Sequence, residues 1–394
     1  MIELIVNSKE KSKQTILLEN GKLIEYYDEQ ENETKNEGNI YVGIVKDIIP
    51  GMQSAFIDIG TEKNSFIHLK DILPQQDEKL EKKAETPKDI TKVIKQNDKL
   101  LVQVKKDSNE LKGARTSTHI GIPSRLILLM PNTEIVTISQ KIEKQEERER
   151  LLKIVKENLP KNMGAVVRTA AEKKSEQEIK QEIEKILNKW KKIENEYKKT
   201  TAAKPKLIYK SQNIAGKIII DISDKKLDKI TVNSKKEYDE LTKAILEEGK
   251  DIKIELKENQ DLIEQMDLGN QIAKLENRKI WLNCGGFITI DKTEALTAID
   301  VNTGKFTGNK NLDETIYKVN YEATIEIAKQ LRARDIGGII IIDYIDMHDK
   351  ERKQKIENKL KEELKKDRAK TQVEGFTKLD LMELTRKHIC SHKW

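Results

Sequence analysis

The most constraining feature of the sequence is a run of four isoleucines that leads into an acidic turn. Ile339 to Ile342 follow two glycines and continue directly into Asp343-Tyr344-Ile345-Asp346. A run this apolar and this short is typical of a strand buried on both faces of a sheet. We therefore expect an α/β segment from about residue 280 onward, with Asp343 where the sheet opens.

Length and composition restrict what can surround that strand. A chain of 394 residues is too long for one hydrophobic core, so several domains are expected. No window approaches ~18 uninterrupted apolar residues, and no basic region precedes the first apolar run, so we expect neither a membrane span nor a signal peptide. Two cysteines cannot build a disulfide framework or a four-ligand zinc site. These observations predict a soluble, cytoplasmic protein.

The charge balance only weakly indicates a partner. The formal net charge is +6, and 36% of the residues are charged. Much of this reflects mixed-sign helix surfaces rich in Lys and Glu. A phosphate-rich partner and an ordinary solvated surface both remain compatible with the charge alone.

The first hundred residues have the pattern of short strands joined by turns. Asn20-Gly21 between two apolar runs is typical of a two-residue hairpin. Further apolar runs from Ile40 onward are broken at Pro50-Gly51 and by a charged excursion over 73–99. Short strands with such an excursion predict a small Greek-key barrel, the OB-fold.

Helical periodicity becomes clear in the middle of the chain. Seven apolar residues form one stripe at helical spacing over 175–199, and we interpret this helix as packing rather than function. They are Ile179, Ile183, Ile186, Leu187, Trp190, Ile193 and Tyr197. Charged helices are also expected over 144–158 and 313–334 and from about 350.

Polar side chains at two strand ends could hold a metal ion. In the strand that ends at Asn302, Asp300 and Asn302 project to the same side, and Asp343 ends the isoleucine strand. Two such carboxylates are an oxygen-donor pair that Mg²⁺ prefers, and the ion can activate water against a phosphodiester. The alternative is that these aspartates cap turns after strands, and the spacing leaves both interpretations open. The histidines and cysteines show no triad-like grouping.

Two phenylalanines lie on the polar faces of barrel strands. Phe56 alternates with the apolar Ala55 and Ile57, and Phe66 lies between Ser65 and Ile67. Rings on a wet barrel face are typical of platforms for stacking bases. A second small core beneath the 73–99 excursion would explain them equally well.

A capping pattern follows an arginine near residue 168. Thr169 with Glu172 three residues later predicts a capping box at a helix start. Arg168 immediately before exposed helix amides could make the same place an anion site. A bare cap is the commoner explanation.

Taken together, these residues resemble the RNase E/G endoribonucleases over nearly the whole chain. The matching blocks follow one another in the family's order: Gly38 to Gly43 through Phe66-Ile67, Lys112-Gly113-Ala114, Leu129 to Asn132, Gly164 to Ala170, Gly285-Gly286-Phe287, Ala298 to Gly304, Leu331 to Gly338, and Ile342 to Met347.

The resemblance implies an α+β multidomain architecture. A degenerate RNase H-like subdomain would be split between 1–36 and 213–275. An S1-type OB domain over 37–118 and a 5′-sensor domain over 119–212 would be inserted in it. A DNase I-like α/β catalytic subdomain would cover 276–388, followed by a short tail, 389–394.

The resemblance also implies an activity and roles for individual residues. A Mg²⁺ ion, for which Mn²⁺ can substitute, would be held by Asp300 and Asp343, with Asn302 orienting the site and Asp346 behind it. Water would cleave single-stranded, A/U-rich RNA to leave 5′-phosphate and 3′-hydroxyl ends, in ribosomal RNA maturation and mRNA decay. The residues expected to clamp RNA are Phe56, Phe66 and Lys112, and those expected to hold a 5′-monophosphate are Arg168, Thr169 and Leu128.

Some positions depart from the family pattern. Ser124 and Leu128 replace a glycine and a valine of the best-studied members, which leaves the strength of 5′-end sensing open. After Lys387 the family usually continues to a Cys-Pro-x-Cys zinc link and a dimerisation domain, which the last residues here do not match.

Cys390 with His388 and His392 could ligate a metal, but chain ends are usually poorly fixed. We therefore expect no zinc, and a monomer or weak homodimer. The alternative function is an RNA-binding protein with weak or lost catalysis, because assembly elements are missing.

Overall fold

The computed structural model describes residues 1–30, 36–72, 89–108, 111–201, 204–222, 227–249, 251–304 and 312–390. Residues 73–88 of the charged excursion and His392 lie outside these ranges. The described residues form twenty-one strands and eight α-helices.

The first thirteen strands are β1 (Ile2–Ser8), β2 (Ser12–Glu19), β3 (Lys22–Gln30), β4 (Ile40–Ile49), β5 (Ser54–Asp58), β6 (Ser65–His68), β7 (Lys99–Lys106), β8 (Arg115–Ser117), β9 (Ile122–Pro123), β10 (Ile127–Met130), β11 (Val136–Ile138), β12 (Gly164–Val167) and β13 (Lys206–Tyr209). The others are β14 (Leu227–Val232), β15 (Lys253–Leu256), β16 (Lys279–Trp281), β17 (Phe287–Lys292), β18 (Leu296–Asn302), β19 (Gly338–Asp343), β20 (Thr371–Phe376) and β21 (Leu381–Arg386). The helices are α1 (Gln145–Asn158), α2 (Glu176–Lys199), α3 (Ile214–Asp221), α4 (Lys235–Glu247), α5 (Leu262–Gln265), α6 (Gly269–Ala273), α7 (Leu312–Ala333) and α8 (Lys350–Leu364).

The chain divides into two compact units. The terminal unit comprises residues 1–32 and 214–394, and the inserted unit comprises residues 33–213. None of the described helices has the length and apolar character needed to cross a membrane.

One sheet of the terminal unit joins the start of the chain to a later segment. Its strand order is β15-β14-β1-β2-β3, with β1 parallel to β14 and antiparallel to β2. Leu4 of β1 packs in a core with α3 and α4, while Ile5 packs in a second core on the opposite face. The expected hairpin is confirmed: Asn20 and Gly21 connect β2 to β3 with φ of 51° and 73°, the paired positive angles of a twisted two-residue turn.

A second sheet of the terminal unit has the order β16-β17-β18-β19-β21-β20. Its only parallel pair among the described strands is β18 with β19. Helices α7 and α8 pack against one face and bury the alternate residues of these strands, including Ile299, Ile340 and Ile342. The opposite face carries the polar residues of the candidate site.

The isoleucine strand is buried on one face only. Ile340 and Ile342 are fully buried, whereas Ile339 is 51% exposed and Ile341 is half-buried. The expectation of burial on both faces was wrong, because α7 and α8 share a single core beneath one face. The sheet therefore presents an open face on which Asp343 lies.

The inserted unit begins with the expected small barrel. Strands β4-β5-β6-β8-β7 follow one another, and pairing of β4 with β7 closes the ring into a five-stranded, OB-like barrel. Strand β13 pairs with the other side of β4. A Cβ on Gly113 would clash with the carbonyl oxygen of Asn64, so only glycine lets the segment before β8 approach β6 this closely.

The rest of the inserted unit is a four-stranded sheet covered by helices. Its order is β11-β12-β10-β9, and α1 and α2 bury a shared core that includes Leu129, Ile183 and Trp190. The predicted packing helix over 175–199 is confirmed as α2.

The capping box lies one turn later than predicted. Residues Thr169–Ala171 form only a short 3-10 turn whose N-cap, Arg168, makes no side-chain capping bond. Ser175 and Glu178 form the reciprocal capping box that begins α2. The prediction of Thr169 and Glu172 was wrong because the chain needs a bend between β12 and the helix. Lys173, with φ of 62°, lies in that bend.

Candidate active site

Strand alternation aims two polar side chains away from the core of the second sheet. In β18, Thr297, Ile299 and Val301 are buried, while Asp300 is exposed and Asn302 is half-buried on the open face. The side-chain amide of Asn302 donates a hydrogen bond of 2.6 Å to Oδ2 of Asp300. This bond holds one carboxylate oxygen of Asp300 and leaves the other free to bind a ligand.

The parallel pairing of β18 and β19 places a second carboxylate beside the first. Asp300 and Asp343 are register partners, so their side chains point to the same face from adjacent strands. Adjacent strands lie about 4.8 Å apart, which is close enough for two carboxylates to share one cation. The separation of the two aspartates along the sequence does not establish this neighbour relationship, because the relationship depends on strand order.

The electrostatics of this pair favour a bound cation. Burial raises the pKa of Asp343 above its usual value, and the nearby Asp300 and Asp346 raise that pKa further. Among the described residues, no lysine, arginine or histidine forms an ion pair with these three aspartates, and the neighbouring cation that acts on Asp300 is Arg278. Arg278 is paired with Asp291, which raises the pKa of Arg278, and Asp300 raises that pKa further. Carboxylates held this close together, with one neighbouring arginine engaged elsewhere, are the donor chemistry that a hard divalent ion offsets.

The described residues contain no group of three or more His, Cys, Asp or Glu side chains that could hold a metal ion by themselves. Mg²⁺ does not need such a group, because it keeps several waters and is usually bound by one or two carboxylates. The donor set of Asp300 and Asp343 therefore fits this ion better than it fits zinc or calcium.

A buried asparagine that the sequence reasoning missed fixes the loop after β19. Asn320 of α7 is fully buried, and its side chain donates to the carbonyl oxygen of Ile345 at 2.8 Å and accepts from the Ile345 amide at 3.1 Å. Next to it, the hydroxyl of the buried Tyr344 lies 2.8 Å from that of Thr324. Polar residues on the buried face of α7 were the available signal. These bonds position the segment between Asp343 and Asp346.

The phenylalanines of the barrel come together on its outer face. Phe56 and Phe66 are register partners on β5 and β6, with ring centroids 6.3 Å apart at 70°. Both rings are half-buried, whereas Ala55, Ile57 and Ile67 are fully buried. The alternation predicted for the two rings is confirmed, although Ser54, which alternates to the same side of β5 as Phe56, is buried.

Basic residues lie at the same side of the barrel. Phe66 is the register partner of Arg115, which is exposed and forms an ion pair of 2.9 Å with Asp71. Lys112 is also exposed, in the segment that leads to β8 through Gly113. The barrel therefore offers aromatic rings with cations beside them.

The predicted 5′-phosphate residues gather around the end of β12. Leu128 pairs with Val166, and Arg168 and Thr169 follow that strand directly. Arg168 donates from Nη1 to the carbonyl oxygen of Ser124 at 3.0 Å, and the hydroxyl of Thr169 lies 3.0 Å from that of Ser139.

Ser124, which departs from the family pattern, contacts helix α2. The Ser124 hydroxyl donates to Glu182 of α2, which also accepts from the Arg125 amide at 3.0 Å. Ser124 is 5% exposed, so its extra bulk points toward the helix and not toward solvent.

The described end of the chain is firmly held. Asp335 accepts from the amides of Ile389 and Cys390, and its carbonyl oxygen lies 2.8 Å from Nδ1 of His388. Cys390 is buried in a core of the terminal unit. The expectation of a poorly fixed end was wrong for residues 386–390, because the buried Asp335 needs these donors.

A barrel with rings and cations on its outer face, together with paired carboxylates on the open face of a sheet, is typical of enzymes that act on single-stranded nucleic acid. Comparison with known proteins agrees with this class. The family model described as "Ribonuclease E/G family" matches residues 121–389. The chain is similar to Ribonuclease G of Escherichia coli K12, with 40% identity over 98% of this chain and 79% of that protein.

Two further relatives extend the comparison. Ribonuclease G of Haemophilus influenzae is 38% identical over 98% of this chain and 79% of its own length. Ribonuclease E of Synechocystis is 34% identical over 89% of this chain and 52% of its own length. The chain belongs to the ribonuclease E/G family.

Proposed function

We propose that the chain hydrolyses internal phosphodiester bonds of single-stranded RNA on the open face of the sheet, at the ends of the central strands β18 and β19. Membership in the ribonuclease E/G family makes it an endoribonuclease. The observation that carries the site assignment is the pairing of Asp300 with Asp343, with Asn302 hydrogen-bonded to Asp300.

Asp300 and Asp343 are the residues that would hold Mg²⁺, for which Mn²⁺ can substitute. Their pairing on one open face, with the raised pKa of the partly buried Asp343, supports this role. When bound, the ion supplies an activated water and offsets charge on the scissile phosphate. Asp346 lies near enough to raise the pKa of Asp343 and acts behind the pair.

The side chains around the pair orient the reaction. The Asn302 amide restrains one oxygen of Asp300 and leaves its own carbonyl oxygen to accept a hydrogen bond from water. Hydrolysis joins the water oxygen to phosphorus and breaks the bond to the 3′ oxygen, which takes up a proton. The products carry a 5′-phosphate and a 3′-hydroxyl.

The inserted unit contributes RNA binding in this proposal. Phe56 and Phe66 stack bases, and Lys112 contacts the backbone, because rings and cations side by side suit a single strand. Arg168 and Thr169, with Leu128 beside them, recognise a 5′-monophosphate.

The proposed domain organisation follows the family resemblance. An RNase H-like subdomain is split between 1–36 and 213–275, around an S1-type domain (37–118) and a 5′-sensor domain (119–212). A DNase I-like subdomain covers 276–388. The proposed substrates are A/U-rich segments of ribosomal RNA precursors and mRNA. The proposed oligomeric state is a monomer or a weak homodimer.

The test is cleavage of one A/U-rich single-stranded RNA labelled at its 3′ end. Wild type, Asp300→Asn and Glu383→Gln are compared with Mg²⁺ and with EDTA. Glu383 is the matched control, because it is an exposed carboxylate on the open face of the same sheet, opposite Ile341. We expect metal-dependent cutting by wild type and Glu383→Gln and none by Asp300→Asn, which still binds the RNA.

The outcomes separate the two functions. If wild type binds RNA and never cuts it with Mg²⁺ or Mn²⁺, the chain is an RNA-binding protein without catalysis. If Asp300→Asn cuts as fast as wild type, the site lies elsewhere.

A further inference from the structure

A tryptophan and a phenylalanine lie on the open face of the same sheet as the paired carboxylates. Trp281 of β16 and Phe287 of β17 are register partners, with ring centroids 5.3 Å apart at 62°. Trp281 is 56% exposed, whereas Trp190 in the inserted unit is only 7% exposed. The pair presents a large, flat aromatic surface with an N–H donor on an otherwise polar sheet face, which suits contact with a ligand.

The register connects this aromatic pair directly to the candidate active site. Phe287 is the partner of Asn302, and Thr289, two residues further along β17, is the partner of Asp300. With strands about 4.8 Å apart, Phe287 lies one strand from Asn302 and Trp281 lies two strands, roughly 10 Å, away. A nucleotide that adjoins a phosphate held at Asp300 and Asp343 therefore reaches the rings.

The backbone around the pair is fixed before any ligand binds. Glu322 of α7 accepts a hydrogen bond from the Cys284 amide at 3.1 Å, which holds the tip of the hairpin between β16 and β17. Gly304, with φ of 61°, follows Asn302, and a Cβ there would lie 3.3 Å from Phe287 Cδ1 and 3.4 Å from Trp281 Cζ3. The turn after the catalytic strand thus packs against one side of the rings and leaves Trp281 more than half exposed.

A lysine beside the two rings provides a positive charge for the phosphate of a nucleotide. Nζ of Lys279 lies 3.6 Å from the ring centroid of Phe287 and 4.3 Å from that of Trp281. Lys279 is exposed, and its register partner is Thr289. Its flexible stem lets the ammonium group move from the rings to a phosphate when a base takes its place.

We propose that Trp281 and Phe287, with Lys279, bind one nucleotide of the RNA next to the scissile phosphate, with its base stacked on Trp281. This inference rests on the proposed function, because it takes the phosphate to lie at Asp300 and Asp343. Stacking is tolerant of base identity, since every base has a π-face. The platform therefore positions the strand and does not select its sequence.

The experiment uses two substitutions of the platform and one control. Trp281→Ala removes the ring, Trp281→Phe keeps a smaller one, and Leu246→Ala removes an apolar side chain that is 74% exposed on α4 of the same unit. Affinity for the A/U-rich single strand is measured in an Asp300→Asn background, so that the RNA stays intact. Cleavage is measured in the wild-type background, and thermal unfolding reports folding of every variant.

We expect Trp281→Ala to weaken RNA binding by about 5- to 150-fold, the range for loss of one stacked base. Trp281→Phe should restore part of this loss, and Leu246→Ala should bind as wild type. RNAs that carry a single abasic residue at successive positions around the mapped cleavage bond give a second readout. At one position, the abasic residue should weaken binding to the protein that retains Trp281. The same abasic RNA should bind the Trp281→Ala variant no more weakly than the intact RNA does.

Failure of this inference can be distinguished from failure of the proposed function. If wild type cuts RNA, Asp300→Asn does not, and folded Trp281→Ala binds and cuts as wild type, the platform is wrong and the catalytic site stands. If Trp281→Ala instead changes the oligomeric state in sedimentation and leaves RNA affinity unchanged, the rings form a contact between copies of the chain, and the inference is overturned.

Discussion

Asp300 and Asp343 face the same side of neighbouring parallel strands as register partners, so two like charges lie one strand spacing apart. Burial raises the pKa of Asp343, the neighbouring charge of Asp300 raises it further, and the arrangement is unfavourable until a cation binds. Polar groups at functional sites often lower the stability of the protein that carries them.

Asp343→Asn should therefore abolish cleavage without lowering the thermal stability of the metal-free protein. The substitution removes one of two repelling charges, so the unfolding temperature in EDTA should stay equal or rise. Mg²⁺ should raise the unfolding temperature of wild type and of Glu383→Gln but not of Asp343→Asn, because a ligand stabilises only the state that binds it. An equal Mg²⁺-induced increase in Asp343→Asn would contradict the metal assignment.

Phe56→Ala and Phe66→Ala should each weaken binding of single-stranded RNA by roughly 1–3 kcal/mol, the cost of one lost stack. The rings meet on the outer face of the barrel, so the loss should come without a large loss of stability. Leu207→Ala is the control, since it removes a side chain that is 43% exposed on a strand paired with β4. Unchanged affinity with lowered stability would place the two rings in a core.

Arg168→Gln should remove any preference for 5′-monophosphate over 5′-hydroxyl RNA and leave cleavage of 5′-hydroxyl RNA unchanged. Its guanidinium is already held by the Ser124 carbonyl, which directs it at the end of β12. Arg150→Gln is a suitable control, because Arg150 is paired with Glu147 at 2.7 Å on α1. Equal rates on both RNAs by wild type would rule out the sensor assignment.

Arg386→Met should lower the free energy of unfolding by about 3–5 kcal/mol, the cost of leaving buried charges unpaired. Arg386 is 2% exposed and bonds Asp335 at 2.7 Å and Asp367 at 2.8 Å. The control is Arg278→Met, which breaks an exposed pair with Asp291 and should lower the free energy of unfolding far less. Urea unfolding of the two variants compares them directly.

Ser175→Ala should destabilise α2 by about 1 kcal/mol, because it removes the side chain that caps the helix. Thr169→Ala should cost less, since Thr169 makes no capping bond. Urea unfolding measures both. A larger loss of stability with Thr169→Ala than with Ser175→Ala would support a capping box at Thr169 and Glu172 instead.

Several local patterns predicted the structure, because neighbours in the chain decide the outcome. The Asn20-Gly21 turn, the stripe of α2 and the alternation that turns Phe56 outward all follow from residues within a few positions of one another. The capping box failed because Thr169 and Ser175 offer the same local pattern, and only the bend after β12 selects the second.

The candidate ligands, the family resemblance and most strands and helices could be predicted from residue type and period alone. The folded chain was needed to show that β18 and β19 are adjacent and in register, which pairs Asp300 with Asp343 and brings Trp281 two strands from Asn302. It was also needed to show that the isoleucine strand has one open face. Strand order and helix placement depend on contacts between residues far apart in the chain, and no local pattern encodes which face a distant helix will cover.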